Sequence, residues 1–399
     1  MKFSRRDFLA ASAVVGAGLP GIFRRAAWAA PKSDQPGGRD TVLVVVQLTG
    51  GNDGLNTVIP FRHPVYAASR PTLVQPADRI RRIDDDLAFH PELEGFSTLL
   101  EQGALGIVQG VGYPNPNRSH FESMDIWHKA TPSSQERYGW LARSTPLMGA
   151  GAIYSADAAP PLALYGSTGY APSLKSLVDY RLKTPGDDPD VRAAIESFAA
   201  SQPDENDLLS FVRSSARQTY ESSERIARAA AEYAPAASYP ETPLGQHLKL
   251  FAQLIDAGVP ERVYYTSLDG FDTHAAQSLS HGQLLRNLAD SVLAFREDLK
   301  HHGHDRRVLT VMFSEFGRRV NENGSQGTDH GTAAPMFLVG DAIRTGPIGA
   351  HPSLDDLDDG DLKFHTDFRS VYAALLERWL GVDPARVLDG NFAPSDLFA

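Results

Sequence analysis

The segment that decides the fold is TVLVVVQL (residues 41–48), which runs directly into TGGNDG (residues 49–54). The first part is a β-branched apolar run without polar alternation, a pattern typical of a strand buried on both faces of a sheet. The second part is a glycine-rich turn that ends the strand and carries Asn52 and Asp53. Together they predict a sheet covered by helices on both faces, with polar residues at the end of its first strand.

Similar apolar runs alternate with longer segments of helical periodicity along the rest of the chain. The runs at 105–111, 262–268, 308–313 and 335–339 predict four more buried strands. Residues 91–102, 278–302 and 367–380 predict helices. Strands that alternate with helices of this length are joined by right-handed crossovers. We therefore expect an α/β fold, with a doubly wound, mainly parallel sheet sandwiched by helices.

The first 30 residues have the features of an export signal. SRRDFL (residues 4–9) is a twin-arginine pattern, an uncharged run follows to residue 19, and AWA (residues 27–29) is a small-x-small cleavage site. The uncharged run is shorter than the ~20 residues that cross a bilayer. We therefore predict a signal peptide over residues 1–30, export by the twin-arginine translocase, and a periplasmic or extracytoplasmic protein without a stable membrane anchor. An uncleaved N-terminal anchor is the alternative.

The mature chain divides into a short linker and one large domain. Residues 31–40 are polar and rich in Pro and Gly, and residues 41–399 carry the α/β pattern. Between 145 and 245 this pattern changes, because residues 204–233 are rich in Ala, Ser, Arg and Glu at helical spacing. We predict a mostly helical insertion over residues 145–245 that covers one edge of the sheet.

Composition excludes several classes of protein. The 399 residues include 38 Lys and Arg, 49 Asp and Glu and no Cys, which gives a net charge of −11. Without Cys, thiol nucleophiles, Cys-ligated zinc and iron–sulfur clusters are excluded. A protein of this charge is also a poor general binder of nucleic acid, so we expect no nucleic-acid partner.

Polar residues cluster where the predicted strands end. Asn52 and Asp53 follow the first strand, and further groups stand at 115–120, 269–274, 314–318 and 328–331. In a parallel sheet the carboxyl ends of the strands meet at one edge, where ligands bind. Carboxylates and imidazoles that arrive there from five loops predict a divalent metal site, with zinc, manganese, magnesium or calcium as the ion and iron not excluded.

Each of these residues also has a purely structural interpretation. Asp53 is a residue type that satisfies the backbone groups of turns. Ser119 and Glu122 form a capping-box pattern, so Ser119 starts a helix, acts as a nucleophile or does both. Glu315 and Arg318 have the spacing of an ion pair on one face of a helix.

The segments around the later histidines have similar alternatives. Asp272 and His274 point to one side only if their segment is extended, and a surface turn is the alternative. Asp329 and His330 are an alternative helix cap, although the flanking glycines favour close approach of the backbone. The acidic run at 355–361 lacks the spacing of an EF-hand and predicts a solvated loop.

Six blocks in a fixed order resemble an exported family called domain of unknown function 1501. They are GGNDGLN (50–56), HPEL (90–93), NRSHF (117–121), GFDTH (270–274), SEFGR (314–318) and GTDHG (327–331), and they follow the twin-arginine start. The resemblance runs from about residue 41 to the C-terminus. That family is grouped with the alkaline phosphatase and sulfatase superfamily, which implies an alkaline phosphatase-like fold, one or two metals and a Ser, Thr or formylglycine nucleophile.

The superfamily pattern implies roles for individual residues. It places a nucleophile near Ser119 and metal ligands at Asp53, Asp272, His274, Glu315 and His330, with Asp269 and His365 as weaker alternatives. Phe316 stands where the superfamily has a second His, which implies that one metal is missing or differently held. The chain has no Cys and no matching serine motif, so a formylglycine is not expected.

The function predicted from these observations is hydrolysis of a small anionic phosphate or sulfate ester. The predicted metal ligands are Asp53, Asp272, His274, Glu315, Asp329 and His330. Ser119 or a water is the predicted nucleophile, Arg118 binds non-bridging oxygens, and His120 donates a proton to the leaving group. Two other classes stay open: a non-catalytic exported binding protein that keeps the fold, and a metal-independent serine hydrolase. No Gly-x-Ser-x-Gly motif supports the serine hydrolase.

Overall fold

The computed structural model describes residues 40–133, 135–156, 159–167, 169–176 and 232–399. The predicted signal peptide, nearly all of the linker and most of the predicted helical insertion lie outside these residues. The described part of the 145–245 segment includes Ala152–Tyr154, which is a strand of the central sheet.

A central sheet, a small three-stranded sheet and short two-stranded hairpins make up the β-structure of the described residues. The strands are, in chain order, β1 (Val42–Thr49), β2 (Val58–Ile59), β3 (Arg81–Arg82), β4 (Ala88–Phe89), β5 (Leu105–Gly112), β6 (Ala152–Tyr154), β7 (Tyr165–Gly166), β8 (Gly169–Tyr170), β9 (Val263–Asp269), β10 (Val308–Ser314), β11 (Arg318–Glu322), β12 (Thr328–His330), β13 (Ala334–Val339), β14 (Gly346–Ile348), β15 (Leu357–Asp358), β16 (Asp361–Leu362) and β17 (Thr366–Asp367). The central sheet has the order β14-β5-β13-β10-β1-β9-β6, and β17 pairs with β5.

Helices cover both faces of the central sheet. They are α1 (Gly54–Thr57), α2 (Pro64–Ser69), α3 (Glu94–Glu101), α4 (His120–Lys129), α5 (Trp140–Met148), α6 (Pro243–Asp256), α7 (Gln277–His301) and α8 (Phe368–Ala374). The closing helix predicted over 367–380 continues from α8 as a π-helical segment, Leu375–Leu380, which ends at the left-handed Gly381. No helix in the described ranges is long and apolar enough to cross a membrane.

Strand β1 joins the two hydrophobic cores of the molecule. It lies between β9 and β10 and runs parallel to both. Val44 and Val46 belong to one core with residues of α3, α6 and α7, whereas Leu43 and Val45 belong to the other with residues of α4, α5 and α8. Each fully buried side chain of this size contributes about 1.5–3 kcal/mol. The predicted strand buried on both faces, and the α/β fold class, are therefore confirmed.

Strand β13 departs from the parallel direction of the sheet. It pairs antiparallel with both β10 and β5, while β1, β9 and β6 are parallel to their neighbours. The chain between β10 and β13 folds as the hairpin β11–β12 and makes no crossover helix, so it returns in the opposite direction. As a result, the residues that precede β13 lie at the edge where the parallel strands end.

Candidate metal centre

Three imidazoles converge on one carboxylate oxygen at the carboxyl edge of the sheet. Oδ1 of Asp272 lies 3.4 Å from Nε2 of His120, 3.0 Å from Nε2 of His274 and 3.2 Å from Nε2 of His330. The side chains of Asp272 and His274 are nearly half exposed, whereas His120 and His330 lie deeper. Access to the cluster from solvent is therefore on the side of Asp272 and His274.

Separate elements of the fold bring the four side chains together. Asp272 and His274 stand in the loop that follows β9, His120 is the first residue of α4, and His330 is the last residue of β12. The glycine-rich turn after β1 contacts this loop at Gly50. Gly50 has a φ of +118°, a conformation that favours glycine. A Cβ at Gly50 would lie 2.4 Å from the backbone nitrogen of Asp272, so only glycine allows this approach.

The other nitrogen of each imidazole is bound to an acceptor. The three pairs are His120 Nδ1 with Glu315 Oε1 at 2.8 Å, His274 Nδ1 with Asp329 Oδ1 at 3.3 Å, and His330 Nδ1 with the Arg118 carbonyl oxygen at 2.7 Å. Ionised carboxylates and carbonyl oxygens only accept hydrogen bonds, so each Nδ1 is the protonated nitrogen. With Nδ1 protonated, the neutral form of each imidazole presents a lone pair at Nε2, which is the form of a metal-bound histidine whose second nitrogen is held by a neighbour.

The arrangement of these lone pairs fits a metal ion. Nε2 of His274 and Nε2 of His330 lie 2.9 Å apart, and the buried Nε2 of His120 has no hydrogen-bond partner. His120, Asp272 and His330 form the one group of metal-ligating side chains found among the described residues, with ligand atoms within 4.8 Å of one another. Tetrahedral zinc with bonds of about 2.0–2.1 Å sets its ligand atoms about 3.3 Å apart, close to the spacing seen here.

Glu315 lies behind the cluster and orients His120. Its side chain is buried, Oε1 also accepts from the backbone N–H of Gly50 at 2.9 Å, and Oε2 accepts from Ser314 Oγ at 3.0 Å. The hydrogen bond to Glu315 raises the pKa of His120, against the opposite effect of burial. Glu315 was predicted as a metal ligand, but in the structure its carboxylate binds Nδ1 of His120 and lies behind the cluster.

Arg318 supplies the positive charge that faces Asp272. Its guanidinium is fully buried and donates to Asp272 Oδ1 at 2.7 Å and to the backbone carbonyls of Gly50, Gly51, Phe271 and Thr328. Partial burial raises the pKa of Asp272, but the hydrogen bond and charge of Arg318 outweigh it and lower that pKa to about 2. The alternative Glu315–Arg318 helical ion pair is therefore wrong, because Arg318 begins strand β11 and pairs with Asp272.

Phe316 packs against two of the imidazoles. Its ring centroid is 4.9 Å from the centroids of both His120 and His330, and the side chain is buried. Gly51 leaves room for the ring, since a Cβ there would come within 2.4 Å of it. Phe316 therefore places an apolar ring beside the cluster and holds the planes of the two imidazoles.

The sequence of this chain matches one family model. The model, described as Protein of unknown function (DUF1501), covers residues 40–392. The chain belongs to the DUF1501 family. No curated protein matches the chain.

Several solved structures resemble this DUF1501 protein at low identity. A protein in the alkaline phosphatase superfamily from Vibrio parahaemolyticus has 7% identity and a TM-score of 0.41, with 92% of this chain and 76% of that chain covered. The C-terminal periplasmic domain of EcEptC from Escherichia coli, in complex with Zn, has 11% identity and a TM-score of 0.35, with 76% and 73% covered. Alkaline phosphatase from the Antarctic bacterium TAB5 has 10% identity and a TM-score of 0.35, with 75% and 92% covered. At these levels the chemistry of those proteins does not transfer to this chain.

Asp53 of this DUF1501 protein, predicted as a metal ligand, takes part in a different set of contacts. Its fully buried carboxylate accepts from Arg70 Nη1 at 2.5 Å, from Gln277 Nε2 at 2.5 Å and from the backbone N–H of Asn56 at 3.4 Å. Burial raises the pKa of Asp53, but the ion pair with Arg70 dominates and lowers it. The contact with Asn56 caps α1, as the turn interpretation of Asp53 predicts.

Ser119 and Arg118 stand just before the ligand-bearing helix α4. Ser119 is the exposed N-cap residue of α4, but its side chain makes no capping hydrogen bond. The guanidinium of Arg118 is bound by Asp361, with Nε and Oδ2 2.9 Å apart, and lies 3.6 Å from Asp359. The capping role of the Ser119 hydroxyl is therefore absent, and the donors of Arg118 are partly occupied.

The two weaker alternatives from the sequence, Asp269 and His365, are not among the four side chains of the cluster. His365 Nε2 bonds to the carbonyl oxygen of Ala350 at 2.7 Å, and Asp269 is the last residue of β9. Asp329 binds His274 and also accepts from Asn323 Nδ2 at 3.0 Å, so it orients an imidazole in the way that Glu315 does. The sequence predicted His120 as a proton donor and did not indicate that it lies among the candidate ligands. The available signal was a His at the start of a helix that follows a polar loop.

Proposed function

We propose that this DUF1501 protein is an exported, metal-dependent hydrolase of phosphate or sulfate esters. One observation carries the proposal: the Nε2 atoms of three imidazoles lie within 3.4 Å of Asp272 Oδ1, while every Nδ1 is held by an acceptor. A bound divalent metal supplies a Lewis acid there, which lowers the pKa of a coordinated hydroxyl or water and offsets charge on the transferred group.

The residues that hold the metal are His120, Asp272, His274 and His330. Three imidazole nitrogens and one carboxylate suit zinc better than magnesium or calcium, which prefer oxygen ligands. Glu315 and Asp329 fix the orientation of His120 and His274 from behind. Mutation of residues that hold metal-bound histidines in this way lowers metal affinity by roughly 10–100-fold.

Ser119 and Arg118 are the residues that act on the ester. Ser119 precedes the ligand His120 directly, is exposed and has no capping bond to give up, so its hydroxyl is available as a nucleophile. Asp361 uses Nε and Nη2 of Arg118 and fixes the guanidinium plane, which leaves the Nη1 donors for a non-bridging oxygen. The chain carries a net charge of −11 and the charge of Arg118 is offset by Asp361, so the metal supplies the positive charge that attracts an anionic ester.

Export by the twin-arginine translocase is part of the proposal. The SRRDFL pattern at residues 4–9 supports it, together with the short uncharged run that follows. The twin-arginine route carries folded proteins, so a metal centre assembled before export reaches the periplasmic side intact.

A second function is favoured by the ligand count and by Phe316. Four protein ligands are typical of structural zinc sites, whereas catalytic sites keep one position for water or substrate. Phe316 also closes one side of the centre with an apolar ring. The second candidate is therefore a non-catalytic exported binding protein that keeps the metal for its fold.

Turnover on a panel of phosphate and sulfate esters tests the proposal. The zinc-loaded mature protein is assayed before chelation, after chelation and after zinc is restored. The proposal requires hydrolysis that is lost on chelation and regained with zinc. Bound zinc without turnover on any ester would favour the binding protein, and turnover that survives chelation would favour a serine hydrolase.

A further inference from the structure

The side-chain amide of Gln277, the first residue of α7, lies beneath the metal centre. It is fully buried and makes three side-chain hydrogen bonds. Oε1 accepts from Thr273 Oγ1 at 3.0 Å and from Thr328 Oγ1 at 2.6 Å, and Nε2 donates to Asp53 Oδ2 at 2.5 Å. The amide therefore uses its donor on one side and its acceptor on the other.

The two threonines belong to the two loops that carry metal ligands. Thr273 stands between Asp272 and His274, and Thr328 lies two residues before His330. The backbone N–H of Thr328 also donates to the carbonyl of Thr273 at 3.2 Å. A single carbonyl oxygen of Gln277 thus ties together the segments that present three of the four ligands.

Asp53 decides which way the Gln277 amide points. A carboxylate accepts hydrogen bonds only, so Asp53 selects the NH₂ group and turns the carbonyl oxygen toward the threonines. Asp53 is in turn held by Arg70, whose side chain is fully buried and which also donates from Nε to the carbonyl of Val320 at 3.0 Å in β11. The orientation of the amide is therefore set by a buried charge pair.

The backbone at the start of α7 is held in an unfavourable conformation for the same contact. Ala276 has a φ of +45°, in the left-handed region that L-residues with a Cβ disfavour. Its N–H donates to the Ser325 carbonyl at 3.0 Å, and the N–H of Gln277 donates to the Gln326 carbonyl at 2.9 Å. Such a conformation persists where surrounding bonds over-determine it, and here these bonds bring Gln277 between the two loops.

We propose that Gln277 is a positioning residue of the metal centre, which sets the spacing between the Asp272–His274 pair and His330 without touching the metal. This inference rests on the metal centre of the proposed function. It also gives Asp53 a role at the site that differs from ligation, since Asp53 acts through the Gln277 amide.

Metal affinity of the Gln277→Met variant tests the inference. Met keeps the volume of the side chain and removes its hydrogen bonds. We expect Zn²⁺ affinity, measured by competition with a chromophoric chelator, to fall by about tenfold or more, in the range seen when supports of metal ligands are lost. We also expect the visible absorption of the Co²⁺-loaded variant to differ from that of the wild type, because the ligand spacing has changed.

Gln47→Met is the matched control for loss of a buried glutamine. Gln47 is also buried, and its Oε1 accepts from His128 Nε2 at 2.9 Å and from Tyr265 Oη at 2.5 Å. We expect it to lower the unfolding midpoint and to leave Zn²⁺ affinity and the Co²⁺ spectrum unchanged. Equal losses of affinity in Gln277→Met and Gln47→Met would overturn the inference, because the effect would then follow from stability alone.

Thr328→Val gives a second measurement if Gln277→Met fails to fold. It keeps the shape of the side chain and removes one donor to Gln277, so we expect a several-fold loss of Zn²⁺ affinity. Unchanged affinity in the folded variants, with tight binding by the wild type, would overturn the role of Gln277 alone. No Zn²⁺ or Co²⁺ binding by the wild type would instead overturn the proposed function itself.

Discussion

His274 and His330 hold their Nε2 atoms 2.9 Å apart, and the Nδ1 atom of each is bound to an acceptor oxygen. When both imidazoles are neutral and protonated at Nδ1, their Nε2 lone pairs repel each other at this distance. The nearby Asp272 carboxylate, at 3.0 and 3.2 Å from the same two atoms, adds negative charge. A bound cation would relieve both repulsions together, and this geometry is the basis of the proposed metal centre.

Replacing Glu315 by Gln tests the support of His120. The variant keeps a hydrogen-bond acceptor for Nδ1 but removes the negative charge that makes the imidazole more basic. We expect Zn²⁺ affinity to fall by about tenfold, and the pKa of His120 in the metal-free protein to fall, which NMR titration measures. Glu94→Gln, in an exposed ion pair with Arg81, is the control and should change neither quantity.

Replacing Ser119 by Ala separates the nucleophile from the helix cap. Loss of a capping hydroxyl costs about 0.5–2 kcal/mol, but the Ser119 side chain makes no capping bond. We expect the free energy of unfolding to change by less than about 0.5 kcal/mol, metal content to stay the same, and kcat on any ester substrate to fall by at least ~10²-fold. A stable variant with unchanged kcat would show that water is the nucleophile.

Replacing Gly50 by Ala tests the contact between the first turn and the ligand loop. Both Gly50 and Gly103 have positive φ, so an Ala at either position incurs about 1–2 kcal/mol of backbone strain. At Gly103 the nearest atom to an added Cβ is 3.9 Å away, whereas at Gly50 the nitrogen of Asp272 is 2.4 Å away. We expect Gly50→Ala to unfold at lower urea than Gly103→Ala and, unlike that control, to bind Zn²⁺ more weakly.

The buried histidines predict how stability depends on pH. Burial lowers the pKa of His128 and His281 to about 3 and that of His90 to about 4, so the folded protein keeps all three neutral. The unfolded chain protonates them near pH 6.5 and thus binds more protons, so stability is full above that pH and falls as pH drops below it. At pH 5.5 each of these histidines lowers the free energy of unfolding by about 1.4 kcal/mol relative to its value above pH 6.5.

Urea unfolding of the metal-free protein between pH 7.5 and 5 measures this dependence. His128→Gln should reduce the slope below pH 6.5 by about one proton, because it removes one of the three groups. His301→Gln, which removes an exposed imidazole, is the control for the loss of a histidine. A stability that is flat across this range would contradict the neutral burial of the three residues.

The sheet was predictable from the sequence because apolar runs report burial directly. TVLVVVQL at 41–48 corresponds to β1 at Val42–Thr49, with its side chains divided between two cores. The direction of β13 was not predictable, since it depends on whether the preceding chain forms a hairpin or a crossover. That direction is also what brings His330 to the edge where His120 and Asp272 lie, because the residues before a parallel strand would lie at the opposite edge.

The cluster at the strand ends was predictable from the sequence, but the role of each residue within it was not. Motif positions show that Glu315 and His120 both reach the site, yet only the fold shows that the carboxylate binds Nδ1 and leaves Nε2 to face Asp272. The contacts of Asp53 were likewise not predictable from the sequence. Its partners Arg70 and Gln277 stand far apart in the sequence, and no local pattern links them to a glycine-rich turn.

Metal content is the most direct test of the central claim that this cluster is a metal centre. Elemental mass spectrometry is applied to the folded wild-type protein, to Asp272→Ala, and to the control Asp396→Ala, whose carboxylate forms an exposed pair with Arg344. We predict about one zinc per chain in the wild type and the control, and its loss in Asp272→Ala. Wild-type protein without stoichiometric metal, or metal retained in full by Asp272→Ala, would contradict the claim.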